Sequence, residues 1–222
     1  MKQALRFLKL DVITVKPYLT WKNLLILLLM PIFFVSFTDG GVSVMFLLMG
    51  FGAIFASYPF AVGEQNGIDA LYATLSIKRQ SVVLGRYLFA FSADLFVGLV
   101  ATAIAALAGV FKEATVDWAQ HTAELCIGLA FITFVQAIQL PLFFRLGYAK
   151  AKLLGVLPFL IIPVVILSYN LFQEQLDAFF ASIYTWSRVN PMITSVLLIA
   201  VWLAAMYLSY RISSKAYSKR EF

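Results

Sequence analysis

The chain has 222 residues, of which 62% are hydrophobic and 13% charged, and its mean hydropathy is +0.90. An ordinary soluble domain has about half apolar and about a quarter charged residues, so this is the composition of a membrane protein. One cysteine, Cys126, excludes an intrachain disulfide and leaves too few thiols for a zinc or iron–sulfur site, so no metal is assigned.

The opening residues 1–20 read as a surface helix. Lys2, Arg6, Lys9 and Lys16 fall on one side, beside an apolar strip of Leu5, Leu8, Val12 and Val15, a pattern suited to lying along the inner membrane surface. Lys9, Asp11 and Lys16 interrupt any apolar run of the secretory kind, so the first span is expected to be retained. Pro17 ends or bends the helix, and Tyr18 and Trp21 suit the interface where the chain turns into the membrane.

Six apolar runs follow: residues 21–37, 42–62, 87–110, 123–144, 153–171 and 192–210. Each approaches the roughly 20 residues that cross about 30 Å of hydrocarbon. None alternates as a barrel strand would, so each is expected to be helical, giving an all-α membrane protein of one transmembrane domain over residues 1–222. With a cytoplasmic N-terminus, every Lys and Arg except Lys112 and Arg188 falls on an inner segment. That bias places both termini in the cytoplasm and accounts for the net charge of +6 without nucleic-acid binding.

The first two spans are joined by a tight turn at Thr38, Asp39, Gly40 and Gly41, so they are antiparallel neighbours. Gly50, Gly52, Ala53, Ala56 and Ser57 give the second span a small-residue face for close helix packing. The first inner loop, residues 63–86, is polar and basic. Within it Ile68, Leu71, Tyr72 and Leu75 recur at i, i+3, i+4 and i+7, one apolar helical face of two turns. Gly63 and Gly67 permit turns at its entry; Glu64 and Asp69 favour a helix start, and Lys78 and Arg79 a helix end. Lipid, the rest of the chain or another protein is the partner for that face.

The run EQNGIDALYATLSIKRQSVVLGRYL, residues 64–88, resembles the first inner loop of small type-2 family ATP-binding-cassette (ABC) transporter permeases. There an acidic-x-x-Gly start leads through Leu-Pro-x-x-Arg to a Val-Leu-Gly-Lys/Arg-Tyr start of the third span. Glu64, Gly67, Leu75, Arg79, Val83, Leu84, Gly85, Arg86 and Tyr87 match that pattern, whereas Ser76 stands where the family often has proline. The resemblance implies that the loop is a coupling helix, with Glu64, Gly67, Ile68, Leu71, Tyr72, Leu75 and Arg79 contacting a separate cytoplasmic ATP-binding subunit. It further implies a homodimer or a heterodimer with a second permease, ATP and magnesium held by the partner subunit, and residence in the plasma membrane of a bacterial cell.

Asp94 lies eight residues past Arg86, about 12 Å along a helix. An ionised Asp near a span's centre costs roughly 2.5–3.5 kcal/mol on insertion, so it should face protein or water. It is read either as part of a translocation path or dimer interface, or as a residue hydrogen-bonded to a neighbouring helix. Ala101, Ala105, Ala106 and Gly109 add a second small-residue face. His121, the only histidine, has neither nucleophile nor co-ligands nearby in sequence and is assigned no chemistry. Gln136 and Gln139, one turn apart in the fourth span, mark a bundle-facing surface, for structural hydrogen bonds or for substrate contact.

Arg145, Lys150 and Lys152 form the second inner loop, and Pro158 and Pro163 predict a bent fifth span. Residues 170–191 are too apolar for a free loop, while Glu174 and Asp177 argue against a full crossing. Short helices dipping into the outer leaflet are expected there; the resembling family has such outer half-helices before its last span. Arg211, Lys215, Lys219 and Arg220 anchor the last span on the inside.

No phosphate loop, dinucleotide fingerprint or catalytic triad is present, so the chain is not expected to hydrolyse ATP. The resemblance implies a permease subunit that exports an amphipathic or hydrophobic substrate, and within that family the likeness is to small exporters of amphipathic peptides and antimicrobials. The rival readings are a substrate-binding membrane subunit of a vitamin-type importer and a structural membrane protein without transport. A membrane-embedded enzyme needs paired acids or a nucleophile within the spans, and only Asp94 is available.

Overall fold

A computed structural model describes residues 2–18, 20–22, 25, 29, 41–68, 71–72, 77–111, 117–153, 160–161, 164, 167–169 and 171–220. Among them every regular element is helical: α1 (Lys2–Val15), α2 (Gly41–Gln65), α3 (Arg79–Phe111), α4 (Trp118–Leu146), α5 (Tyr148–Ala151), α6 (Gln173–Val189) and α7 (Pro191–Ser218). A 3-10 turn over Lys16–Tyr18 follows α1, where Pro17 ends the helix. Most of the expected first and fifth spans lie outside the described residues, as do Pro158, Pro163, Asp69, Leu75 and Ser76.

Among the described residues three helices are long and apolar enough to cross a membrane: Arg79–Leu107 within α3, then α4 and α7. α2, 25 residues long, covers the expected second span and continues past it to Gln65. Several expected boundaries move, and α4 starts at Trp118 instead of 123. α3 begins at Arg79 instead of residue 87, and α7 runs on to Ser218 instead of 210. Hydropathy falls where Lys and Arg enter the sequence, but helical hydrogen bonding continues through the interface, so apolar runs underestimate these helices.

Local chemistry sets several helix ends. Asp117 caps α4, its Oδ1 accepting from the Ala119 and Gln120 N–H groups at 3.0 and 3.2 Å. Pro191 opens α7 at a position where its missing N–H costs nothing. α6 carries Glu174 in its first turn and Arg188 in its last, each favourable to the helix dipole.

α3 is the central helix, touching α1, α2, α4 and α7. Ala53 and Ala56 of α2 and Ala90, Ala101, Ala105 and Ala106 of α3 are buried, as the small-residue faces require. Towards one end the bundle is filled by aromatic groups. Phe60 stacks on Phe143 at 5.2 Å and meets Phe144 edge-on at 4.9 Å, and Tyr217 closes on Phe144 at 5.4 Å. The buried Arg86 guanidinium lies 4.3 Å from the Phe60 ring centroid, a cation–π contact inside this core.

α1 packs across the start of α3. Its buried face is Ala4, Phe7, Asp11 and Val15, while Leu5 and Val12 of the expected apolar strip are exposed. The reason lies at Gly85, where an added Cβ would come within 2.5 Å of Phe7 Cβ and 3.1 Å of the Ala4 carbonyl oxygen. The two backbones approach closely there, which selects the small Ala4 for the contact face and leaves Leu5 and Val12 outside.

Candidate functional site

The loop between α2 and α3 leaves α2 through Gly67, whose φ of +61° closes the helix. Space does not demand glycine at this point, since an added Cβ would meet nothing within 4 Å; the left-handed backbone does. One helical bond follows, from the Leu71 N–H to the Gly67 carbonyl at 3.3 Å, and the Ile77 N–H returns to the Tyr72 carbonyl at 3.3 Å. The apolar face read from the sequence is divided. Tyr72 turns inward, edge-on to Phe7 of α1 at 5.1 Å, whereas Leu71 stands 54% exposed. Ile68 is half-buried.

The two charged ends of this loop do not start and stop a helix within it, as expected from the sequence. Glu64 sits in the last turn of α2 and Arg79 opens α3. Each reaches instead to the end of another helix. The Glu64 Oε2 accepts from the Tyr148 and Ala149 N–H groups at the start of α5. Arg79 Nη1 donates to the carbonyls of Tyr217 at 3.0 Å, Ser218 at 2.7 Å and Arg220 at 2.9 Å, at the end of α7. A carboxylate at a helix start and a guanidinium at a helix end both complement the helix dipole and pair main-chain groups that helix ends leave open. Gly147, with φ +79°, makes room for the first contact: a Cβ there would stand 2.9 Å from Glu64 Oε2 and 2.9 Å from Arg220 Nη2. The Ser81 hydroxyl also donates to Gln3 Oε1 at 3.2 Å. The start of α1, both ends of the loop, the turn at Gly147 and the end of α7 thus meet at one end of the bundle.

A second constellation lies inside the bundle. Asp94 of α3 is fully buried and accepts on Oδ1 from Gln136 Nε2 of α4 at 3.0 Å. Its Oδ2 has no partner among the described residues. Gly52 of α2 abuts the same carboxyl, so that a Cβ there would run into Asp94 Oδ1. Gln139 is also buried. Asp94 and Gln136, marked separately in the sequence, are therefore one hydrogen-bonded pair.

Sequence reasoning missed a neighbouring hydroxyl cluster. The Tyr87 hydroxyl lies 2.6 Å from Ser209 Oγ and 2.8 Å from Ser213 Oγ, and Ser209 Oγ donates to the Ala137 carbonyl at 2.7 Å. Nearby, Trp202 Nε1 donates to Thr133 Oγ1 at 2.8 Å. These bonds tie α3, α4 and α7 together. Ser209 and Ser213, one turn apart in an apolar helix, were the readable signal.

A family model described as ABC-2 family transporter protein matches residues 7–218. The chain belongs to that family. The match begins at Phe7, the α1 residue that packs at Gly85, and ends at Ser218, whose carbonyl receives Arg79. Searches of curated proteins and of solved structures return no match. As an ABC-2 family protein the chain is a multi-pass membrane component of a transporter and is not itself the ATPase, and its family implies a partner ATP-binding subunit.

Proposed function

We propose that this ABC-2 permease subunit crosses the membrane six times, docks its ATP-binding partner on the loop from Glu64 to Arg79, and exports an amphipathic or hydrophobic substrate as a dimer of permeases. The observation that carries the docking role is the pair of anchors. Glu64 grips the start of α5 and Arg79 the end of α7, so a push on the exposed Leu71 between them reaches α2, α3, α5 and α7 together. Gly67, Ile68, Tyr72 and Leu75 complete the proposed contact segment, with ATP and magnesium bound by the partner.

The crossing number is supported by the placement of helix ends. α2 arrives at the end of the bundle that holds α1, α3 starts there, and α4 and α7 finish there. That placement supports one crossing between α1 and α2 and one between α5 and α7, which with α2, α3, α4 and α7 would make the six proposed. The segments expected on the inner side, whose described ends meet here, hold every Lys and Arg of the sequence except Lys112 and Arg188, which supports cytoplasmic termini. α6, amphipathic and placed just before α7, then lies at the outer face, in the place proposed for the segment 170–191 that dips into the outer leaflet. Asp94, Gln136 and Gln139 are closed off within one chain. They join a translocation path or dimer interface in a state where α2, α3 and α4 part.

The test is co-purification of the ATP-binding subunit with the tagged chain in mild detergent, comparing wild type with Leu71→Asp. Leu71 is exposed, so the variant should fold. The expected result is loss of the bound subunit or of its permease-dependent ATPase activity at unchanged expression and melting temperature. An ATP-binding subunit bound and stimulated equally by both proteins would remove the loop from the docking role.

A further inference from the structure

Where α4 and α7 end, they flank an open cavity of about 470 Å³ lined by Arg145, Ile212, Lys215, Ala216, Lys219 and Arg220. Among the described residues the lining holds four cations and no acid. Among the described residues no carboxylate pairs with Arg145, Lys215 or Lys219. Cations near a helix C-terminus ordinarily complement its dipole and its open carbonyls. At α7 that work is done by Arg79, which takes the carbonyls of Tyr217, Ser218 and Arg220. Lys215 and Lys219 are therefore not required as caps, and their convergence with Arg145 on one hollow gathers like charge that a bound anion would offset.

The surface leading to the cavity is apolar. On α7, Leu208, Ile212, Lys215 and Lys219 follow one another at helical spacing, and on α4 Ile138 precedes Arg145 by two turns on the same side. Leu208, Ile212 and Ile138 are exposed. The Ser209–Ala137 and Trp202–Thr133 hydrogen bonds show that α4 and α7 run side by side in the same direction, so the two apolar stripes descend together to the cations. An anion with an apolar tail fits this arrangement; a free phosphate would use only its lower part.

We propose that this cavity binds the phosphate of an acidic phospholipid, with the acyl chains lying along the exposed stripes of α4 and α7. Only the membrane location of those two helices is needed. The proposal stands apart from the docking role of the loop, and its failure would leave that role untouched.

Native mass spectrometry of the full chain in a neutral detergent, with phosphatidylglycerol or phosphatidylcholine added, tests it. Wild type is expected to retain phosphatidylglycerol in preference to phosphatidylcholine. Arg145→Gln with Lys215→Gln and Lys219→Gln should weaken that retention by about tenfold or more. Lys215→Arg with Lys219→Arg should preserve it, which separates charge from fold. Lys9→Gln with Lys16→Gln and Lys150→Gln removes equal charge at the same end of the bundle and is expected to leave retention close to wild type. Equal loss in that control, or no preference for the acidic lipid, overturns the site. If millimolar inorganic phosphate raises the melting temperature through these cations while no lipid is retained, the occupant is a soluble phosphate and the lipid proposal is overturned.

Discussion

Glu64 and Arg79 carry opposite charges at opposite ends of one loop, and each finds the helix end whose open groups suit it. Glu64→Ala leaves the Tyr148 and Ala149 N–H groups without their acceptor, and Arg79→Ala strips three carbonyls at the end of α7. Removing a helix cap costs about 1 kcal/mol, and both contacts are partly solvated, so each variant should lose about that much. Thermal melting of the purified chain in detergent checks the value; a shift confined to one variant would mean that the other anchor is not held in solution. None of this is readable from local sequence. The partner groups are main-chain atoms 84 and 138 residues away, and they carry no residue identity for a pattern to detect. Glu64 and Arg79 stood out in the sequence for a different reason, as helix-end charges, and the structure turns them outward to other helices. Asp94 and Gln136 were legible as polar residues in apolar runs because such residues need partners, yet their pairing depends on how α3 and α4 lie against each other.

Helix α1 shows what a moment-style reading of an element can and cannot supply. Amphipathicity was visible, but the packing face only in part: Val15 of the expected strip is buried, Ala4, Phe7 and Asp11 join it, and Leu5 and Val12 remain outside. The deciding residue is Gly85, on another helix. Gly85→Ala places a Cβ against Phe7 Cβ and the Ala4 carbonyl, and backbone cannot yield as a side-chain tip can. Overpacking of this kind costs about 1–3 kcal/mol. The expected outcome is a lowered melting temperature together with faster proteolysis within residues 2–18, as α1 lifts from α3. Wild-type proteolysis at those residues in the variant would show that α1 does not cross at Gly85. Apolar runs located α2, α3, α4 and α7 because the bilayer imposes a minimum apolar length on a crossing helix. They missed the outlying turns of α3 and α7, which continue where the sequence turns basic and where Arg79 does its anchoring.

At the scale of the molecule the distribution of charge and the meeting of chain segments say the same thing independently. Gln3 with Ser81, Glu64 with the start of α5, and Arg79 with the end of α7 are contacts at one end of the bundle, and the segments expected on the inner side, whose described ends meet there, hold nearly all the basic residues of the sequence. The cap on α4 at Asp117 belongs to the opposite end, since α4 runs from it towards the Gly147 turn. A cysteine scan makes this orientation measurable. Cys126 is exposed and has to be replaced first, by Cys126→Ala. In that background Gln120→Cys, near the start of α4, should react with a membrane-impermeant thiol reagent in intact cells. Ser218→Cys, at the end of α7, and Gln3→Cys, on α1, should react only after the membrane is opened. Three exposed positions on three helices constrain the crossings between them: Gln3 and Ser218 on one side require an even number, and Gln120 on the other requires an odd number before it. Labelling of Ser218→Cys without Gln3→Cys in intact cells would break the six-span arrangement at the segments around the expected first or fifth span. Reaction of Gln3→Cys and Ser218→Cys but not Gln120→Cys would keep the arrangement and invert it, placing the anchored loop outside and out of reach of any cytoplasmic ATP-binding subunit.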